Sequence, residues 1–174
     1  MKQLLIATGL SGLLAFAAAA QQNHANRIIS SSDSTFVTEA AQGGMAEVQL
    51  GKLATTRASN ALVKQFGQRM VDDHSKINDQ LKALATSKGM SLPTALDPKD
   101  ETVKRRLSGL TGSAFDHAYM EDMVKDHKHD IAAFQHEADH GMDPDVKAFA
   151  AKTLPILQEH LRLAEQAQEQ LKKK

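Results

Sequence analysis

The chain contains no cysteine and no tryptophan. The first absence removes disulfides, thiolate metal sites and cysteine nucleophiles in one step. Aromatic residues make up only 4% of the sequence, too few to suggest a stacking platform for bases or sugars. Net charge is missing as well, since 21 basic residues balance 21 acidic ones. A nucleic-acid partner is therefore not expected, and near-equal charges along the chain describe a solvated surface. Neither a Gly-x-Ser-x-Gly nucleophile turn nor a phosphate-binding glycine loop occurs.

The long apolar run lies at the N-terminus. Met1-Lys2, the stretch from Leu4 to Phe16 and the small residues Ala17 to Ala20 have the layout of a secretory signal peptide, with cleavage expected near Ala20. The run falls short of the roughly 20 residues that cross a bilayer, so no membrane span is expected in the mature chain. A lipoprotein's attachment cysteine is absent too. The expected location is a bacterial periplasm or beyond. Cleavage leaves about 154 residues with 20 basic against 21 acidic groups, enough for one domain with a sizeable core. Residues 21–32 read as a flexible leader without periodicity, and residues 33–171 as the domain.

Helical periodicity dominates that domain. Phe36, Ala40, Gly43, Glu47, Leu50 and Ala54 predict a first helix over 34–57 with Asp33 as its N-cap. Gly43, Gly44 and Gly51 weaken it by about 1 kcal/mol each relative to Ala, which fits close helix approach, room beside Glu47 or local backbone accommodation. Ser59 or Asn60 can cap a second helix carrying Leu62, Phe66, Met70, Ile77, Leu81 and Leu84, with His74 at the rim of the stripe and an end before Gly89. Pro93 and Pro98 mark a crossover, followed by a short helix over 100–110. Ser113 can cap a third long helix with Phe115, Tyr119, Met123, His127, Ile131 and Phe134 on one face and Gly141 as its stop. Val146, Ala150, Leu154, Leu157, His160, Leu161, Ala164 and Leu171 predict a last helix over 145–171, kinked by Pro155.

No segment shows period-2 alternation. The expected fold is all-α: a four-helix bundle of two hairpins, with a short extra helix in the crossover. Met70-Val71-Asp72-Asp73-His74 is echoed by Met123-Val124-Lys125-Asp126-His127. A duplicated hairpin would instead pair the second long helix with the fourth, so no tandem repeat is inferred.

Each long helix places an ionisable residue among its core positions: Glu47, His74, His127 and His160, with Asp116 a weaker fifth. Such residues are rarely buried without a partner or a metal. His127 and His160 lie about 15 to 18 residues from the turn at 141–144, roughly 25 Å along each helix, so they can face one another. Glu47 and His74 differ in depth by roughly 7 Å. Two readings stay open. Glu47 with three histidines, and Asp116 joining, fits Zn²⁺, Cu²⁺ or a single Fe. The same residues with Asp116 and Tyr119 also fit a buried hydrogen-bond network. Met70 and Met123 stand four residues before a core histidine and would serve only for copper; filling the core is the plainer role. His117, His129, His136 and His140 point to solvent.

Glu47-Val48-Gln49-Leu50-Gly51-Lys52-Leu53-Ala54, Met70-Val71-Asp72-Asp73-His74, Phe115-Asp116 with Tyr119, His127, and Leu154-Pro155 followed by His160 give the chain a family likeness over about 36–167. In this order they resemble the exported bacterial ferritin-like family called domain of unknown function 4142, often labelled predicted outer membrane protein. The resemblance implies a ferritin-like bundle and an envelope location, and it brings no activity. No transmembrane β-strand pattern supports the label's reference to the outer membrane. Standard diiron members of the ferritin-like class use Glu-x-x-His on two helices. Here Val71 and Leu157 occupy the two i−3 positions, so a diiron oxidase is disfavoured.

The function expected is that of a non-enzymatic exported bundle whose Glu/His cluster stabilises the core or binds a transition metal, in metal homeostasis or stress. A metal-dependent redox enzyme is one alternative. A metal-free interaction module that engages an envelope protein is another.

Overall fold

Five helices carry the chain in a computed structural model whose described residues are 29–173: α1 (Ser31–Arg57), α2 (Ala61–Ser87), α3 (Pro98–Ser108), α4 (Gly112–His140) and α5 (Pro144–Lys172). The expected signal peptide and most of the expected leader lie outside the described residues. The four long helices form two antiparallel hairpins, α1 with α2 and α4 with α5, and α3 packs across α1 and α4. No strand occurs among the described residues.

Helix starts follow local side-chain chemistry, with some differences from the sequence reading. Ser30, rather than Asp33, caps α1 by accepting from the Asp33 N–H, so the helix begins a few residues early. Asp33 is buried instead, and its carboxylate accepts from the backbone N–H groups of Met142 and Asp143. Asn60 caps α2 through Leu62 N. Asp97 caps α3 through Asp100 N, with Pro98 in its first turn. Ser113 does not cap α4; the helix begins at Gly112, whose φ of +62° is a conformation that glycine adopts freely. Asp143 caps α5 and also receives Lys88 from the end of α2 at 2.7 Å.

These end contacts fix the helix directions. Asp33 ties the start of α1 to the α4–α5 turn, and Lys88 ties the end of α2 to the same turn. At the other end Asp116, near the start of α4, accepts from Ser59 and Asn60 in the α1–α2 turn. The order is thus up, down, down, up. The crossover carrying α3 must return along the length of the bundle.

Close approach explains two of the glycines on α1. A Cβ on Gly51 would meet the Gly67 carbonyl oxygen at 2.6 Å, and one on Gly44 would meet Asn78 Oδ1 at 2.0 Å. Gly43 meets nothing within 4 Å. Leu62, expected in the buried stripe of α2, is instead 38% exposed.

The apolar core falls into two clusters. One gathers Leu50, Phe66, Met70, Phe115, Met123 and Ala164 toward the α1–α2 turn. The other gathers Val37, Ala41, Ile77, Leu81, Phe134 and Leu157 toward the α4–α5 turn. On every long helix the ionisable residue falls in the gap: Glu47 between Ala41 and Leu50, His74 between Met70 and Ile77, His127 between Met123 and Phe134, and His160 between Leu157 and Ala164.

Candidate metal centre

Three histidines meet in that polar layer. His74 is 3% exposed, and His127 and His160 are fully buried. Their ring centroids lie 5.9 Å apart for His74 and His127, 5.3 Å for His74 and His160, and 5.4 Å for His127 and His160. Each offers a ring nitrogen within 4.8 Å of the other two, the one such group of three among the described residues. Two apolar clusters stiffen the helices above and below, so three side chains from three helices are held at one level.

Hydrogen bonds at the backs of two rings decide what those nitrogens are. His127 Nδ1 lies 2.9 Å from the Met123 carbonyl oxygen. A carbonyl can only accept, so Nδ1 carries the hydrogen and Nε2 carries a lone pair. His160 Nε2 lies 3.0 Å from Asp73 Oδ2. Burial opposes ionisation of Asp73, yet His160 and Arg69 outweigh it and hold the carboxyl below its ordinary range. It therefore accepts as a carboxylate, leaving the lone pair of His160 on Nδ1. The free nitrogens, His127 Nε2, His160 Nδ1 and His74 Nε2, are buried with no protein partner among the described residues.

Electrostatics keep the rings neutral. Burial lowers the His74 imidazole well below its ordinary value, and His127 and His160 push it further. His127 is brought down to about 4, by burial and then by His160. His160 is lowered by burial, against the opposing pull of Asp73. His127 and His160 each turn a lone pair inward, and a cation between the rings, or a hydrogen on His74 Nε2, satisfies them. For a tetrahedral ion with bonds of about 2.0–2.1 Å, the nitrogens would have to draw closer than they stand.

Glu47 occupies a different place from the one expected. Its carboxyl is fully buried, and Oε1 lies 3.8 Å from His127 Nδ1, the nitrogen already given to Met123. It flanks the triad from behind His127 and is not one of the converging donors. Burial raises its pKa well above the ordinary value, and the neighbouring Asp126, within hydrogen-bonding reach, raises it further. Both causes favour the protonated form of Glu47.

The remaining candidates are placed apart from the triad. Asp116 is spent on the α1–α2 turn, where it accepts from Ser59 N, Ser59 Oγ and Asn60 N. The Tyr119 hydroxyl is buried without a partner among the described residues, so Asp116 and Tyr119 do not complete a network around Glu47 there. Met70 and Met123 pack in the apolar cluster, and the recorded tie of Met123 to the site is its backbone carbonyl. His117, His129, His136 and His140 are exposed, as their helix positions imply.

Sequence reasoning missed Asp73 and Asp126. Each directly precedes a site histidine, about 100° around the helix, where a carboxylate reads as surface. The signal was the shared Asp-His pair in the two echoing segments. A cleft of about 300 Å³ between the long helices and α3 reaches His74 and is lined by Asp126.

Two solved structures similar to this fold are DUF305 proteins. A DUF305 fragment from Deinococcus radiodurans superposes with a TM-score of 0.72 at 15% identity, covering 82% of this chain and 98% of the fragment. A DUF305 protein from Streptomyces coelicolor gives a TM-score of 0.64 at 12% identity, covering 76% of this chain and 88% of its own. At such identities the likeness concerns the fold alone. No curated protein matches the sequence. The family model described as Domain of unknown function (DUF4142) matches residues 17–167, and the chain belongs to that family.

Proposed function

We propose that this is an exported protein that binds one transition-metal ion at His74, His127 and His160. The observation that carries the reading is the pair of locked tautomers. Met123 and Asp73 hold the hydrogens at the backs of two rings, so the buried fronts of those two rings present lone pairs. A hydrogen-bonded core would have to draw both of its donors from the single hydrogen of His74. Imidazole nitrogen suits Zn²⁺, Cu²⁺ and Fe²⁺, and three such donors leave a further coordination position for water or another ligand. Neutral rings bind a cation without first releasing protons.

Burial of the donors favours holding an ion over exchanging substrates. Export is supported by the signal-like first twenty residues, and a place in envelope metal homeostasis follows from holding such an ion outside the cytoplasm. A metal-dependent redox enzyme is the second reading, favoured by the cleft that reaches His74. Turnover with an oxidisable substrate separates the two.

The test is a Co²⁺ titration of metal-free protein followed by visible absorption. One ion per chain is expected, with a spectrum of nitrogen ligation that His74→Ala, His127→Ala and His160→Ala each abolish. A His136→Ala/His140→Ala variant should titrate like the parent. Absence of binding, or binding indifferent to the three core substitutions, would defeat the proposal.

A further inference from the structure

The C-terminal end of α4 carries a pattern that the buried triad leaves unused. His136-Glu137-Ala138-Asp139-His140 has the spacing His-Glu-x-x-His, in which two histidines one turn apart on a helix hold the ion of a metalloprotease. Residues four apart are neighbours on one helix face, so the spacing brings the two rings together. The ring centroids of His136 and His140 lie 4.8 Å apart with their planes at 22°, and both residues are exposed.

His140 Nδ1 lies 3.2 Å from the His136 carbonyl oxygen. A carbonyl only accepts, so Nδ1 carries the hydrogen and Nε2 keeps its lone pair for a ligand. Both histidines line a recess of about 410 Å³ between the start of α1 and the end of α4. Glu137 lines it too; it is 4% exposed, and its Oε1 has no partner among the described residues. Glu39, from α1, adds a second acid to the lining. A cation held by the two rings gives these acids the opposite charge that the recess lacks.

We propose that His136 and His140 form a second metal site, open to solvent and separate from the triad, that takes Cu²⁺. Of the divalent ions that imidazole suits, Cu²⁺ binds a given nitrogen site most tightly, and it accepts a tetragonal arrangement of two nitrogens completed by water or a carboxylate oxygen. Co²⁺ stands well below it in that order, so one equivalent of Co²⁺ goes to the three nitrogens of the triad and leaves the pair unfilled. Two exposed donors hold an ion less firmly than three buried ones. The pair therefore fills when Cu²⁺ is supplied and exchanges it with solution. Glu137 is buried, so the pair is assigned binding and not hydrolysis. This inference does not depend on the triad holding a metal.

A Cu²⁺ titration in the presence of glycine, a weak competitor that suppresses loose binding, tests it by electron paramagnetic resonance. Wild type should bind one Cu²⁺ more than His136→Ala/His140→Ala, and the extra ion should show splitting from coordinated nitrogen. His136→Ala and His140→Ala alone should each lower the affinity for that ion at least about tenfold, since either change breaks the chelate. His117→Ala/His129→Ala, which removes two other exposed histidines of the same helix, should keep it. The same difference of one ion should persist when His160→Ala is added to both proteins. Equal stoichiometry in wild type and His136→Ala/His140→Ala would overturn the site, as would equal loss in His117→Ala/His129→Ala. A difference that vanishes in folded His160→Ala would overturn it as well, by assigning the ion to the triad.

Discussion

Asp73 Oδ2 lies 3.0 Å from Nε2 of His160, so a partly exposed carboxylate on α2 fixes the ring of a fully buried histidine on α5. Across the bundle, Asp126 on α4 neighbours Glu47 on α1 and favours its protonated form. Asp73 and Asp126 are the acids that precede the histidines in the echoing segments Met70-Val71-Asp72-Asp73-His74 and Met123-Val124-Lys125-Asp126-His127. Helices α2 and α4 run in the same direction on opposite corners, as do α1 and α5.

Removing the Asp73 carboxylate should loosen the site without emptying it. Asp73→Asn is expected to weaken metal affinity roughly 10- to 100-fold while leaving one ion per chain, because an outer partner orients a ligand rather than supplying one. Competition with a coloured chelator measures the change. Unaltered affinity would mean that Asp73 does not set the His160 ring.

Glu47 predicts a slope in stability against pH. Its folded pKa is raised, so the folded state holds a proton that the unfolded chain releases near 4.5. Stability from this group is fully present below that value and declines as pH rises toward the raised one. Glu47→Gln, a mimic of the neutral acid, should flatten that decline and make the variant the more stable protein at pH 8. Urea unfolding of metal-free protein at pH 5 and pH 8 shows whether the two curves diverge as described.

The histidines give the opposite sign. His74 and His127 have depressed folded pKa values, so their contribution is present above about 6.5, the unfolded value, and is lost as pH falls toward the folded value, about 4 for His127. Metal-free protein should lose stability over that window. The loss should be smaller in His127→Gln, measured by the same unfolding experiment at steps between pH 6.5 and 4.

Much of this architecture was legible in the sequence. Glu47, His74, His127 and His160 interrupt otherwise apolar stripes, and the structure brings all four to one layer because each falls at the same depth between two core clusters. What the stripes could not give was the direction of each nitrogen. Periodicity places a residue on a face, but a Met123 carbonyl or an Asp73 carboxylate behind the ring decides which nitrogen is free. Asp116 misled for a related reason: its core-facing position is real, yet it lies within reach of unpaired N–H groups in the α1–α2 turn and is used there.

Asp116 is therefore a stability residue in this account. Asp116→Ala leaves Ser59 and Asn60 donors unpaired in a partly buried turn and should cost about 1–3 kcal/mol. Co²⁺ stoichiometry should be unchanged in the folded variant; a lost equivalent would place Asp116 back among the ligands.

The glycines of α1 and α2 should diverge when given a methyl group. Gly67→Ala would press a Cβ to 2.5 Å from that of Ala54 and should destabilise by about 1–3 kcal/mol. Gly43→Ala meets nothing within 4 Å and should stabilise α1 by roughly 0.5–1 kcal/mol. Thermal unfolding of the pair resolves the sign of each.

The most direct measurement is the metal content, by elemental mass spectrometry, of untagged protein purified from the periplasm without added metal, beside His74→Ala and His160→Ala. About one transition-metal ion per wild-type chain, lost from both folded variants, is the result this account predicts. A metal-free wild type, or metal retained in the variants, would contradict it.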